Sequence, residues 1–276
     1  MPYLEVGTEN SDKVEIYYED HGDGAPVVLI HGYPLSGSSW EKQVPVLLEA
    51  GHRVITYDRR GFGKSSQPTV GYDYDTFAAD LKSLMDELDL RDATLVGFSM
   101  GTGEVARYLG TYGSNRVVKA VLIGPIPPFL LQADDNPKGV PQSVFDGFME
   151  SVRKDRYAWF KFFLDNFNNV DTFRGTRISD EAWNASFEVA SASSAYASLA
   201  CVSTWLTDFR ADLPKMDVPV LVLQGTDDRI LPIESTGRRL PELVDDVKLI
   251  EITDGPHNVC WTHSAEVNAA LLEFLR

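Results

Sequence analysis

Residues 94–103 read Thr94-Leu95-Val96-Gly97-Phe98-Ser99-Met100-Gly101-Thr102-Gly103. A short apolar run leads into Gly-x-Ser-x-Gly, and apolar residues at helical spacing continue from Gly103 to Tyr112. The segment therefore predicts a buried strand, a sharp turn carrying a serine, and a helix. A serine lifted on a strained turn at the end of a sheet needs neighbours without Cβ atoms where backbone and helix pass closely. Such a turn exposes the Ser99 hydroxyl and sets the Met100 N–H at a helix N-terminus, where it can donate to a developing oxyanion. Ser99 is the predicted nucleophile.

Outward from this turn, short β-branched runs alternate with longer helix-like stretches. Val14 to Glu19 reads as an amphipathic early strand, while Val27 to Ile30, Val54 to Tyr57, Val118 to Ile123, Val220 to Gln224 and Lys248 to Ile252 are mostly apolar. Continuous apolar strands are buried on both faces. Trp40 to Ala50, Thr76 to Leu88 and Ser264 to Leu275 carry the helical spacing of crossovers. The expectation is an α/β fold with a mostly parallel central sheet flanked by helices. One connection is out of proportion, because a crossover takes about 30 residues and Gly124 to Pro219 spans 96. We read an inserted helical cap over residues 126–212, dividing a core domain into parts 1–125 and 213–276. Fifteen of the 30 aromatic residues fall in the insertion, as suits the wall of an apolar substrate pocket.

A serine hydroxyl needs a general base oriented by a third group. Of five histidines, His21 and His52 lie in polar, turn-like surroundings and read as solvated residues. His31 directly follows a strand and reads as a brace for its loop, and His263 as packing at the entry to the last helix. His257 follows the strand ending at Ile252 by five residues, so a loop at the carboxyl edge can carry its imidazole over Ser99. His257 is the predicted base. For a nucleophile on this kind of turn the partners follow in the order acid, then His, which places the acid after Val220 to Gln224. Asp227 and Asp228 both lie there, and spacing from the strand does not separate them. The Tyr33 N–H, after the strand Val27 to Ile30, is the candidate second oxyanion donor, and its ring lines an acyl pocket or packs the loop.

Lys plus Arg number 25 against 41 Asp plus Glu, a formal charge of −16. That field repels nucleic-acid backbones and anionic lipid surfaces, so neither is an expected partner. No apolar run approaches the ~18 residues of a membrane span, and Met1 to Asn10 lacks the basic and apolar regions of a signal peptide. A cytoplasmic location is expected, with Cys201 and Cys260 reduced and structural. Gly61-Phe62-Gly63-Lys64-Ser65 misses a phosphate-binding loop because position 58 is Asp58 rather than glycine. No dinucleotide fingerprint or metal-ligand set is present, and the expected chemistry uses no cofactor and no metal.

With the serine turn, a late aspartate and a late histidine in order, the chain resembles the α/β-hydrolase family from end to end. Thr56-Tyr57-Asp58-Arg59-Arg60-Gly61-Phe62-Gly63, Tyr72-Asp73-Tyr74-Asp75-Thr76-Phe77-Ala78-Ala79-Asp80-Leu81 and Gly97-Phe98-Ser99-Met100-Gly101 look like its cofactor-free (non-heme) chloroperoxidase, aryl esterase and γ-lactamase group. Asp134-Asp135-Asn136-Pro137, Gly139-Val140-Pro141 and Phe145-Asp146 look like its bicyclic γ-lactamase members. In that family the acid stands four residues before a proline, as Asp228 does before Pro232, and the base follows a proline, as His257 follows Pro256. The resemblance thus implies a Ser99, Asp228 and His257 triad, with the Tyr33 and Met100 amides as oxyanion donors. It further implies a serine hydrolase acting on a small ester, lactam or carboxylic acid through an acyl-serine, with peroxide-dependent haloperoxidase activity, in trimers or larger homo-oligomers. Two departures stand out: Asn258 occupies a position where the family usually has glycine, which bears on the hydrogen bonding and mobility of the His257 loop, and Pro125 adds a proline near the family's pocket-lining position, which bears on substrate preference and the balance of perhydrolysis and hydrolysis. The alternatives are a hydroxynitrile-lyase-type reaction or a non-catalytic ligand receptor on the same fold; a carboxylate-nucleophile dehalogenase or epoxide hydrolase is disfavoured by serine at position 99.

Overall fold

The computed structural model describes residues 2–276. Eight strands, β1 (Tyr3–Glu9), β2 (Asp12–His21), β3 (Pro26–Ile30), β4 (Arg53–Tyr57), β5 (Ala93–Phe98), β6 (Val117–Ile123), β7 (Val220–Gly225) and β8 (Val247–Ile252), form one sheet in the order β1-β2-β4-β3-β5-β6-β7-β8. From β4 to β8 all neighbours are parallel, and β2 joins β4 antiparallel. The expected α/β architecture is present, and the apolar runs explain the order. Every residue of β5 and β7 is buried, as strands covered on both faces require, whereas β8 at the edge is mostly half-buried or exposed.

One strand went unread. β1 pairs antiparallel with β2 through a tight connection where Asn10 takes φ 53°. Its Tyr-Leu-Glu-Val-Gly-Thr-Glu sequence holds only Leu4 and Val6 on the inward face, too few apolar residues to stand out. His21 closes β2 and remains exposed, as expected of a solvated residue. His52 departs from that reading: it is half-buried, and its Nδ1 is shielded without a hydrogen-bond partner.

The crossovers are α1 (Val44–Glu49), α2 (Tyr74–Glu87) and α3 (Met100–Tyr112). The stretch read as one helix from Trp40 to Ala50 is instead a 3-10 turn, Gly37–Trp40, followed by α1. Between β6 and β7 lie α4 (Gln142–Lys154), α5 (Arg156–Phe167), α6 (Val170–Phe173), α7 (Asp180–Ala192) and α8 (Ala195–Thr204), and after β8 come α9 (Val259–Thr262) and α10 (Ser264–Leu275). Asp155 caps α5 by accepting from the Tyr157 and Ala158 amides. Because β3, β5, β6, β7 and β8 run parallel, the loops after them, carrying Tyr33, Ser99, Gly124, Asp228 and His257, emerge at one edge of the sheet. Among the described residues no helix is long and apolar enough to cross a membrane.

Candidate active site

Ser99 occupies the turn between β5 and α3 with φ 52° and ψ −119°, a strained conformation for a residue with a side chain. The turn is held by its backbone: the Ser99 N–H donates to the Ile123 carbonyl at 2.8 Å, and the Ser99 carbonyl accepts from the Thr102 N–H at 2.9 Å. Glycine is needed at position 101 because a Cβ there would lie 2.3 Å from the Ile30 carbonyl oxygen. The loop after β3 comes equally close, since a Cβ on Gly32 would meet the Ser99 Cβ at 2.8 Å. That approach sets the loop that continues into Tyr33 alongside Ser99. Among the described residues neither the Tyr33 nor the Met100 amide donates to a protein acceptor, and Met100 begins α3, where the first N–H groups are free.

His257 is fully buried. Its Nδ1 lies 2.7 Å from Asp228 Oδ2, and the other carboxylate oxygen accepts the Ile230 and Leu231 amides at 3.0 and 2.8 Å. Gln224 Nε2 approaches Asp228 Oδ2 at 3.3 Å. An acceptor held in this way orients the imidazole so that Nδ1 donates to it and Nε2 is left with its lone pair. His257 Nε2 is buried and has no hydrogen-bond partner. The imidazole is wedged between the rings of Phe98 and Phe167, at 5.2 and 5.1 Å, and lies so close over the end of β6 that a Cβ on Gly124 would meet its Cε1 at 3.1 Å. The imidazole thus lies by Phe98, the residue before Ser99, and by Gly124 after β6, with no hydrogen bond from Nε2 to Ser99; in the absence of substrate, bonds of this kind are often long or unmade.

The structure separates the two aspartates that spacing left open. Asp228 meets His257, whereas Asp227 accepts from Asn169 Nδ2 at 2.7 Å and pairs with Arg229 at 3.2 Å. The Tyr33 ring is 1% exposed; its hydroxyl donates to the Ser198 carbonyl at 3.0 Å and accepts from Trp159 Nε1 at 3.2 Å. Phe163 and Trp205 pack edge-on against it. The ring therefore packs the loop under the inserted helices, and burial drives its phenol far above the usual range. A cavity of about 110 Å³ is lined by Leu35, Trp40, Phe98, Asn258 and Cys260 together with residues of α7, and so reaches the neighbours of Ser99 and His257 in the chain. Among the described residues no three His, Cys, Asp or Glu side chains are grouped as metal ligands.

Sequence reasoning missed a buried ion pair behind the site. Arg59 Nε and Nη2 donate to Glu104 Oε2 at 2.9 and 2.7 Å, and the Tyr57 hydroxyl donates to Glu104 Oε1. Arg59 Nη2 also donates to the His31 carbonyl at 3.0 Å, while its backbone N–H donates to His31 Nε2 at 2.9 Å. This cluster braces the Gly32-Tyr33 loop from below. The available signal was Glu104, the one charged residue among the buried positions of α3.

The α/β hydrolase fold family matches residues 25–264. A candidate non-heme chloroperoxidase of Synechocystis sp. is 62% identical over 276 residues, covering all of both chains. A bifunctional esterase/perhydrolase of Acinetobacter calcoaceticus is 36% identical, covering 96% of this chain and 97% of its own. Among solved structures, bromoperoxidase from Bacillus anthracis superposes with a TM-score of 0.95 at 46% identity, covering 99% of each chain.

Proposed function

The chain belongs to the α/β-hydrolase fold family, in its non-heme chloroperoxidase and esterase branch, and from that premise we propose how its residues carry out serine-hydrolase chemistry. The supporting observation is His257, buried, engaged at Nδ1 by Asp228 and unpartnered at Nε2 beside the Ser99 turn. Ser99 Oγ attacks the carbonyl carbon of a small ester while its proton passes to His257 Nε2, and Asp228 stabilises the imidazolium. The Tyr33 and Met100 amides receive the oxyanion, each donor contributing about 3 kcal/mol to the barrier reduction. Collapse expels the alcohol, which takes the proton from His257, and leaves an acyl-serine. Water, deprotonated by His257, releases the carboxylic acid; hydrogen peroxide in the same role releases a peracid, which oxidises halide in solution. Residues 126–212 form the helical cap of this proposal, with the cavity beside Phe98 and Asn258 as part of its approach. A γ-lactam carbonyl meets the same attacking geometry.

The test is turnover of p-nitrophenyl acetate, phenyl acetate and a bicyclic γ-lactam, with and without peroxide, bromide and a halogenation reporter. Ester turnover and acetate-dependent halogenation that both vanish in a folded Ser99→Ala variant are expected. Full esterase activity in that variant ends the proposal, and cyanohydrin cleavage without an acyl-enzyme points instead to lyase chemistry.

A further inference from the structure

Helix α5 touches both ends of the site. On one face, Trp159 and Phe163 pack on Tyr33, whose amide is the proposed oxyanion donor, and Phe167 lies edge-on to His257 at 5.1 Å. These three residues repeat every four positions, the spacing that aligns side chains along a helix. At the C-terminus of α5 the chain turns through Asn168 and Asn169, both fully buried, and this corner is bonded to both triad loops. The Asn258 N–H donates to the Phe167 carbonyl at 2.9 Å, and Asn258 Nδ2 donates to Asn168 Oδ1 at 2.9 Å. Asn168 Nδ2 in turn donates to the Leu164 carbonyl at 2.9 Å, which fixes its amide so that Oδ1 faces Asn258. Asn169, with φ 45°, donates from Nδ2 to the Asp227 carbonyl and to Asp227 Oδ2 at 2.9 and 2.7 Å.

We propose that Asn168 and Asn258 are positioning residues whose buried amide–amide bond makes α5 a spacer between the oxyanion loop and the His257 loop. The inference rests on the serine-hydrolase reading above and goes beyond it. Neither amide touches the reacting atoms, so each acts through His257. A glycine at position 258, as the resembled family usually carries, provides no side chain for this bond, and the base loop is then tied to α5 by its backbone alone. An imidazole wedged between two rings and hydrogen-bonded through Nδ1 alone depends on its loop for the placement of Nε2, and misplacement of about 1 Å at such an atom costs about a hundredfold in rate.

The experiment measures kcat and KM on p-nitrophenyl acetate for full-length Asn168→Ala, Asn258→Gly and the double variant, with Ser99→Ala alongside. Rates are scaled to the concentration of folded enzyme, read from circular dichroism, so that unfolded protein does not count. Each single change is expected to lower kcat about tenfold with KM moved by less than about twofold. The double variant is expected to match the singles, because both remove one shared bond. Losses that multiply in the double variant, losses carried by KM, or kcat within about twofold of the parent overturn the spacer. Should Asn168→Ala fail to fold, Asn258→Gly carries the test, since it leaves the Asn168–Leu164 bond of α5 intact. Activity retained by Ser99→Ala would remove the hydrolase reading itself, whereas an inactive Ser99→Ala beside unaffected asparagine variants removes only the spacer.

Discussion

Two fully buried histidines stand at the carboxyl edge of the sheet, and their rings are bonded differently. His257 is held at Nδ1 by Asp228, and its Nε2 has no partner. His31 lies 2.9 Å from the Gly32 carbonyl through Nδ1, and its Nε2 accepts the Arg59 N–H at 2.9 Å. Both arrangements select the same tautomer, so tautomer does not separate a base from a brace; the engagement of Nε2 does. A lone pair already committed to a backbone amide cannot take a proton without breaking that bond, whereas a buried lone pair left open beside a serine is ready for one. The surroundings follow the same division. Asp228 bonds two backbone amides and a histidine, while the carboxylate near His31, Glu104, is saturated by Arg59 and Tyr57.

The comparison breaks most sharply at the base. His257→Ala is expected to reduce ester turnover by about 10⁴-fold or more while the thermal midpoint stays near that of the parent. A folded His257→Ala enzyme with a tenth of the parent rate would show that an open Nε2 does not mark a base. Smaller in rate but large in stability is the effect expected behind the oxyanion loop. Glu104→Leu leaves the Arg59 guanidinium, 1% exposed, without its counter-charge, and breaking a buried pair by removing one partner costs about 3–5 kcal/mol. Burial already pushes the Glu104 carboxyl up from its usual range against the pull of Arg59. Urea titration checks the expectation, and a variant within about 1 kcal/mol of the parent would mean that the pair orders the loop without stabilising it.

The two halves of this contrast were unequally legible in the sequence. Ser99 and His257 announce themselves because chemistry places each after an apolar strand: Gly97 and Gly101 mark the turn, and Pro256 precedes the base. Asp228 could be separated from Asp227 only by resemblance, since both side chains leave the same loop and the difference is which one points to the imidazole. The sheet from β2 to β8 was readable from its apolar runs. β1 was not, because an edge strand with one half-buried face needs few apolar residues. The Arg59–Glu104 pair and the Asn168–Asn258 bond were invisible for a different reason: their partners are 45 and 90 residues apart, and nothing local in either sequence requires the other.

The finest test of the comparison is the pH dependence that His31 imposes on folding. Burial, with the Arg59 charge adding to it, holds the His31 imidazole well below its ordinary value of 6.5. Below that value the unfolded chain binds a proton at His31 that the folded chain refuses, so stability is fully present above 6.5 and declines as pH falls. One proton gives a slope of at most about 1.4 kcal/mol per pH unit. Asp80 opposes this trend, because burial raises its carboxyl to about 6 despite the Arg60 pair; its folded form holds a proton the unfolded chain has lost, and it favours stability toward lower pH in the window below 6. The measurement must therefore be a difference: unfolding free energies of the parent minus those of His31→Gln, from pH 7 down to 5, in which the Asp80 contribution cancels. A positive slope in that difference is expected, together with a lower stability of the variant at pH 7 from the lost bonds to Arg59 and Gly32. A flat difference would mean that His31 takes up its proton in the folded protein, and so that an imidazole engaged at both nitrogens is no more closed to protons than one left open at Nε2.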